Sequence, residues 1–233
     1  MTTTGRTAVP GFGRALVVLL AVAVTFGVTG CSAGSGSTTT PTPTGSGASS
    51  ATGDVVAPVK YSGTGDAVVT IAKPGGDPHE ADIATFSSSG SGPFVVRALP
   101  ARGKQGRPLI DSSGPYRGTV PLDLEIPRTT EALQIASTGP WQVVISALSA
   151  ARRFTDRVVG TGDDVVVDDS PSASIAFLVH AGRGAFAVRT YGRGDSLVDE
   201  VGPYRRTASL SAGPLIVVVH ADRAWSIRAL SKG

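Results

Sequence analysis

From residue 55 onward, apolar residues alternate with polar ones in short runs, which is the pattern of β-strands with one buried face. The positions that this alternation assigns to a core face are Val120, Leu122, Leu124, Ile126, Trp141, Val143, Ile145, Ile175, Phe177, Val179, Trp225, Ile227 and Ala229. Turns rich in Gly and Pro separate the runs, as at 73–78 and 88–93. This arrangement predicts β-sandwiches. The only helical expectation is a single turn over 129–135.

One phrase occurs twice: residues 109–118 read LIDSSGPYRG and residues 197–206 read LVDEVGPYRR. Flanking matches share a falling offset, from 97 residues (Gly63 to Gly160) to 84 residues (Trp141 to Trp225). Because loops tolerate deletions better than strands do, the second copy is expected to have shorter loops. The sequence therefore predicts an all-β protein with two tandem β-sandwich domains related by an internal repeat, at 55–148 and 152–230.

Aromatic residues retained in both copies are expected to serve the fold that the copies share. Trp141 and Trp225 alternate in phase with core residues, which predicts buried rings and not sugar-stacking platforms. Tyr116 and Tyr204 are expected to pack inward, with each hydroxyl bonded to nearby backbone in the manner of a tyrosine corner.

The first 31 residues have the features of an export signal. Arg6 and Arg14 form a positively charged region before an apolar run over 15–28. This run is too short to span a bilayer but fits a secretory signal peptide over 1–30. The sequence VTGC at 28–31 resembles the lipobox of bacterial lipoproteins and ends on Cys31, the only cysteine. The resemblance implies cleavage before Cys31, a diacylglycerol thioether on its sulfur and an acyl chain such as palmitate on the new amino terminus. An ordinary secretory peptide is the alternative.

Residues 31–54 join this anchor to the predicted domains. From residue 32 the segment is nearly all Ser, Thr, Gly, Ala and Pro. A segment with no large apolar residue cannot offset the entropy of ordering, which predicts a disordered tether. The predicted location is therefore the extracytoplasmic side of the cell membrane, with the lipid on Cys31 as the membrane contact.

Three short phrases resemble modules of secreted bacterial proteins. Phe-x-Val and Gly-Pro-Tyr occur in both repeats, and the third phrase, Gly-x-Trp-x-Val/Ile, occurs at 139–143, with Arg223 in place of its glycine in the second repeat. They resemble small tandem β-sandwiches that include pre-peptidase-type domains. The resemblance covers turn and core residues, so it implies a fold and no activity.

Candidate ligand contacts are few. His180 and His220 each precede an arginine by three residues, an arrangement that suggests two similar strand ends neighbouring each other in a sheet. Arg193, Gly194 and Asp195 form a tripeptide that resembles the integrin-binding motif of adhesive proteins, on a predicted loop tip. The sequence contains no zinc-protease motif, nucleophile elbow or nucleotide-binding fingerprint. No catalytic residue, metal or cofactor is predicted.

Two acidic clusters could hold calcium weakly but match no defined calcium loop, so the pattern predicts solvated turn acids. Their members are Asp77, His79, Glu80 and Asp82, and Asp163, Asp164, Asp168 and Asp169. The net charge is +3, with 21 basic and 18 acidic residues. Removal of the signal peptide would take two arginines with it, so no clustered basic surface for nucleic acid is expected.

These features predict a membrane-anchored cell-surface lipoprotein that acts as a non-catalytic binding or interaction module for a protein or glycan. Two alternatives remain open. One is a structural envelope spacer with no specific ligand. The other is a hydrolase whose active site is formed by residues far apart in sequence.

Overall fold

A computed structural model describes residues 56–100, 108–124, 129–192 and 195–231. The predicted signal peptide, Cys31, the tether, Arg193 and Gly194 lie outside this part of the chain. The described residues form seventeen β-strands and one three-residue 3-10 helix over Leu148–Ala150. No helix among them is long and apolar enough to cross a bilayer. The all-β prediction is confirmed.

The first sandwich is built from eight strands in two four-stranded antiparallel sheets. The strand order is β1-β8-β3-β6 in one sheet and β2-β7-β4-β5 in the other. The strands are β1 (Val59–Thr64), β2 (Ala67–Thr70), β3 (Asp82–Ser88), β4 (Pro93–Pro100), β5 (Ile110–Ser113), β6 (Tyr116–Leu122), β7 (Thr130–Ser137) and β8 (Pro140–Ala147).

The second sandwich has a four-stranded sheet, β10-β17-β12-β15, and a five-stranded sheet, β14-β13-β16-β11-β9. Its strands are β9 (Arg152–Phe154), β10 (Arg157–Thr161), β11 (Asp164–Asp168), β12 (Ala173–His180), β13 (Ala185–Tyr191), β14 (Ser196–Val201), β15 (Tyr204–Ser209), β16 (Leu215–Ala221) and β17 (Ala224–Ser231). The short β9 pairs parallel to β11 and, among the described strands, is the one without a counterpart in the first sandwich.

The two sandwiches have the same strand topology. If β1 to β8 are matched in order with β10 to β17, both sheet orders coincide. Eight antiparallel strands in two sheets with this connectivity form a jelly roll. The repeated phrase occupies β5 and β6 in one copy and β14 and β15 in the other. The internal repeat is thus a repeat of the whole fold.

Each sandwich has its own apolar core between its two sheets, and each core includes one buried tryptophan. Trp141 and Trp225 are buried, as predicted, and each indole N–H donates to a turn carbonyl, Gly65 at 2.9 Å and Gly162 at 2.8 Å. Gly63 faces Trp141 so closely that a β-carbon there would overlap the ring, and Gly160 faces Trp225 in the same way. The first glycine of each Gly-Thr-Gly-Asp sequence, at 63–66 and 160–163, therefore leaves room for a tryptophan ring.

The predicted core face of β12 is wrong by one residue. Ile175, Phe177 and Val179 lie on the outer face, whereas Ala176, Leu178 and His180 are buried. The error arose because both faces carry apolar residues and the true core face ends in a histidine. The His180 ring is only 2% exposed and stacks on Phe186 with 4.6 Å between ring centroids. A residue that usually faces solvent therefore contributes to the core.

Two smaller expectations about the first sandwich also need correction. The helical turn expected over 129–135 is wrong, because these residues enter strand β7, where Leu133 and Ile135 are buried. The alternation at 120–126 extends beyond its strand, since β6 ends at Leu122. Leu124 follows the strand, and Ile126 lies outside the described residues.

A third apolar cluster lies where the two sandwiches meet. Ile83 on the outer face of the first sandwich packs with Ala151, Val165 and Val167. The edge strand β6 also donates a backbone hydrogen bond to the second sandwich, from Thr119 N–H to the Asp163 carbonyl at 2.9 Å. Burial of apolar surface together with a backbone hydrogen bond fixes the orientation of the two sandwiches.

Candidate functional site: the crevice between the sandwiches

A crevice of about 980 Å³ opens beside this contact. One wall comes from β5 and β6, and the other from the β10–β11 turn and the end of β16. Its charged lining residues are three arginines and four aspartates: Arg117, Arg152, Arg223, Asp111, Asp163, Asp164 and Asp222. The polar lining also includes His220, Tyr116, three serines and three threonines: Ser112, Ser113, Ser146, Thr85, Thr119 and Thr161. Both halves of the chain therefore contribute polar groups to one concave site.

Asp163 is the residue around which this site is organised. Its side chain accepts hydrogen bonds from the Tyr116 hydroxyl at 2.6 Å, from His220 Nδ1 at 2.7 Å and from the Ala221 N–H at 3.1 Å. The residue is only 7% exposed. The carboxylate thus links the first sandwich, through Tyr116, to two adjacent residues of β16 in the second. Gly162 precedes it at φ +74°, a conformation that glycine adopts without strain.

The neighbours of Asp163 titrate away from their ordinary values. Burial, reinforced by the adjacent Asp163 carboxylate, raises the pKa of Tyr116, so its phenol remains a hydrogen-bond donor at neutral pH. The hydrogen bond to Asp163 raises the pKa of His220 despite partial desolvation. The His220 side chain is 63% exposed, so it can exchange protons with solvent while it contacts the buried carboxylate.

The partner predicted for Tyr116 is wrong. Its hydroxyl donates to the Asp163 side chain, 47 residues away and in the other sandwich, and not to nearby backbone. The counterpart Tyr204 packs against its own core, with its ring centroid 5.7 Å from that of Phe186. The two tyrosines occupy equivalent positions, but only the first has a second sandwich docked beside it.

His180 and His220 are not neighbours in one sheet, because β12 and β16 belong to opposite sheets of the second sandwich. His180 Nδ1 lies 2.9 Å from the Gly202 carbonyl oxygen, and Nε2 lies 2.9 Å from Asp222 Oδ1. The buried imidazole therefore connects the end of β12 to the turns at Gly202 and Asp222, and its role is structural. His220 alone faces the crevice.

Only part of the predicted adhesion tripeptide can be placed. Asp195 is exposed, and its backbone carbonyl accepts a hydrogen bond from Thr190 N–H at 2.9 Å. Arg193 and Gly194 lie outside the described residues. Asp195 does not line the crevice.

The interpretation of both acidic clusters as solvated turn acids is wrong for three members. Asp82 and Asp168 are completely buried and Asp163 nearly so. Asp168 caps the following turn by accepting from Ser170 N–H at 2.9 Å. Asp82 lies 3.0 Å from the Lys73 ammonium, which is 2.8 Å from a third acid, Asp123. In the described part of the chain, no group of three or more His, Cys, Asp or Glu side chains is arranged to hold a metal ion.

The raised pKa of His220 leads to a prediction about stability. A group whose pKa is higher in the folded state stabilises the fold fully below its unfolded pKa, about 6.5 for histidine. That contribution is lost as the pH rises through the folded-state pKa. We therefore expect the thermal midpoint of the full chain to fall more steeply above about pH 6.5 than that of a His220→Gln variant. An NMR titration that placed the His220 pKa at or below its ordinary value would contradict this account.

Comparison with known proteins identifies no relative. No known family profile matches the chain, and no curated protein matches it in sequence. Among solved structures, the CUB1-EGF-CUB2 segment of human MASP-1/3 aligns at 8% identity over 76% of this chain and 94% of that one, with a TM-score of 0.25. A β-glucuronidase from Bacteroides uniformis aligns at 12% identity over 72% of this chain and 24% of its own, with a TM-score of 0.27. Similarities this weak carry no argument about function.

Proposed function

We propose that the protein is a lipid-anchored, extracytoplasmic binding module whose ligand, a glycan or a protein segment, lies in the crevice between the sandwiches. The observation that carries this proposal is the crevice itself, which is concave and lined by polar groups from both repeats. Ligand pockets often have about this volume and often lie at the contact between two folded units.

The charges of the crevice favour a ligand with both donors and acceptors. Arginines and aspartates are present in nearly equal number, and serine hydroxyls lie among them. Such a lining can hydrogen-bond to the hydroxyl groups of a glycan or to peptide backbone. It suits a ligand that carries many charges of one sign less well. The crevice is also held open in advance, because the Asp163 hydrogen bonds fix its two walls. Preorganised walls lower the entropic cost of binding.

A variant that fills the crevice tests the proposal. Ser113 is exposed and lines the crevice, so Ser113→Trp is expected to block it without disturbing either core. We expect the full chain to bind at least one member of an array of neutral oligosaccharides and peptides, and Ser113→Trp to weaken that binding about tenfold or more. The matched control is Ser62→Trp on the exposed edge strand β1. Equal binding by both variants would contradict a crevice site, and no binding by the unmodified chain would favour a spacer.

The anchor makes a separate prediction. Cys31 is the only cysteine, so lipid attached through sulfur has a single candidate position. We expect cells supplied with labelled palmitate to label the protein and retain it in the membrane fraction. Cys31→Ala should abolish the labelling and release the protein from the membrane fraction. The variant lacks the sulfur that carries the lipid, and stable anchoring depends on two or more acyl chains. An unlabelled wild-type protein would exclude the anchor while leaving the crevice untouched.

A hydrolase is the second candidate function, and the contact between Asp163 and His220 favours it. A carboxylate that accepts from histidine Nδ1 is the arrangement that orients a catalytic base. Serines line the same crevice, but none in the described part of the chain is hydrogen-bonded to His220. Covalent labelling of a crevice serine by a fluorophosphonate, lost in His220→Gln, would establish this alternative. We expect no labelling.

A further inference from the structure

The outer face of the sheet β10-β17-β12-β15 lies on the second sandwich and is not part of the crevice. Phe177 and Val179 lie on this face instead of in the core. With Asp156 and Ser226 they line a depression of about 550 Å³, together with three arginines: Arg157, Arg205 and Arg228. No described residue outside these strands and the adjoining Asp156 lines the depression. A basic depression with an aromatic floor is thus left open.

The equivalent face of the first sandwich shows that this side of the fold is used for docking. Strand register relates the two faces, because Thr85 pairs with Thr119 as Phe177 pairs with Thr207. In the first sandwich, Thr85 and Thr119 lie beside the docked second sandwich, and Thr119 donates its N–H to the Asp163 carbonyl. The corresponding face of the second sandwich has no such partner among the described residues.

A difference between the edge strands β6 and β15 argues against the docking of a third sandwich of this kind there. Gly118 lies so close to Asp163 that a β-carbon on it would be 3.0 Å from the Asp163 β-carbon. The position equivalent to Gly118 in the repeated phrase is Arg206. A long side chain at this point excludes the docking that Gly118 allows.

One further difference adds an arginine to this face, whereas Arg205 corresponds to Arg117 of the first sandwich. Val144, which pairs with Thr85, corresponds to Arg228, which pairs with Phe177. Arg205 is held over the Phe177 ring, with its guanidinium carbon 5.4 Å from the ring centroid. A guanidinium that contacts a ring face in this way can still present its N–H groups to an anion. Asp156, 3.4 Å from Arg228, is the only acid that lines the depression.

We propose that this arginine face binds an acidic polysaccharide, through carboxylates that the polymer presents at regular intervals. Guanidinium groups pair with carboxylates through two parallel hydrogen bonds, and a polymer allows several such contacts at once. A protein partner would need apolar anchors in open pockets, whereas Arg205 already covers Phe177. A flat lipid surface does not enter a depression. The proposal does not depend on what the crevice binds.

The test uses the purified full chain and oligogalacturonate as the probe. Arg205→Gln/Arg228→Gln is expected to weaken binding about tenfold or more, since two charge-assisted contacts are lost. The matched control, Arg183→Gln/Arg189→Gln, removes the same charge from exposed positions elsewhere on the second sandwich and should leave binding nearly unchanged. A neutral dextran should not bind.

A second variant covers the case in which the double variant fails to fold. Phe177→Leu retains an apolar side chain but removes the ring beneath Arg205, and it should weaken binding about two- to fivefold. The proposal is overturned if oligogalacturonate does not bind or if the control pair weakens binding equally. Tighter binding to polyglutamate, or to phosphatidylglycerol vesicles, would overturn it in favour of a protein or a membrane partner.

Discussion

Replacing Lys73 by methionine is expected to destabilise the first sandwich by about 3–5 kcal/mol, because it leaves buried carboxylates without their counter-charge. Lys73 is buried between Asp82 and Asp123, with side-chain exposures of 6%, 0% and 3%. The Asp82 carboxylate accepts no hydrogen bond of good geometry, so the ammonium group is its main compensation. Urea unfolding of the full chain measures the effect. Lys60→Met, on the exposed side of β1, is the control and should change stability little.

The pH dependence of the Lys73→Met penalty provides a second check. Burial raises the pKa of Asp82, and Lys73 opposes that shift. Without Lys73 the pKa of Asp82 should rise further. A carboxyl with a raised folded-state pKa stabilises the fold at low pH, and this contribution is lost as the pH rises through that pKa. The penalty should therefore be smaller at about pH 5 than at about pH 7. A penalty independent of pH would mean that lost packing, and not charge, destabilises the variant.

Replacing Asp163 by alanine is expected to cost about 2–4 kcal/mol, since the variant leaves the Tyr116 hydroxyl and the buried Ala221 N–H without an acceptor. The pKa of His220 should also return towards its ordinary value, because the carboxylate that raises it is gone. Calorimetry measures the first effect and NMR titration of the imidazole measures the second. Both readouts address the contact between the sandwiches directly.

The chain contains its own control for this experiment. Asp66 occupies the equivalent turn of the first sandwich and accepts from the Ser137 N–H at 3.0 Å, as Asp163 accepts from Ala221. Asp66→Ala should therefore cost about 1–2 kcal/mol and leave the His220 pKa unchanged. If the two variants destabilised the protein equally, the contacts of Asp163 across the junction would contribute nothing measurable.

The sequence alone was sufficient to predict the all-β class and the duplication, because alternation and repetition can be read directly from the sequence. Trp141 and Trp225 could be assigned to the cores from their phase, and matched glycines and tryptophans revealed the duplication. The phase of β12 could not be assigned in this way. Its two faces are both apolar, and only the three-dimensional structure shows that the buried His180 ring contacts the Gly202 carbonyl and the Asp222 carboxylate.

Of the candidate site, sequence reasoning identified His220 but not the residues around it, and the reason is different. Asp163 was identified as one of several acids, but its importance comes from Tyr116, which lies in the other sandwich. Nothing in the spacing of the two residues indicates that they touch. Lys73 and Asp82 illustrate the same limit. The sequence of an acidic turn predicts solvated carboxylates, and it does not show that a buried lysine pairs with one of them. The difference between Gly118 and Arg206 is visible within the repeated phrase. Only the structure shows that Gly118 lies against Asp163 of the other sandwich.

Hydrogen exchange of the full chain, with and without the oligosaccharide or peptide that binds most tightly in the array, tests the central claim most directly. Exchange reports protection of individual backbone segments. A ligand in the crevice should slow exchange at 111–119, 161–165 and 220–223, which line it from both sandwiches. Protection confined to one sandwich, or protection at Phe177 and Arg205 with none in the crevice, would contradict the claim that the junction is the binding site.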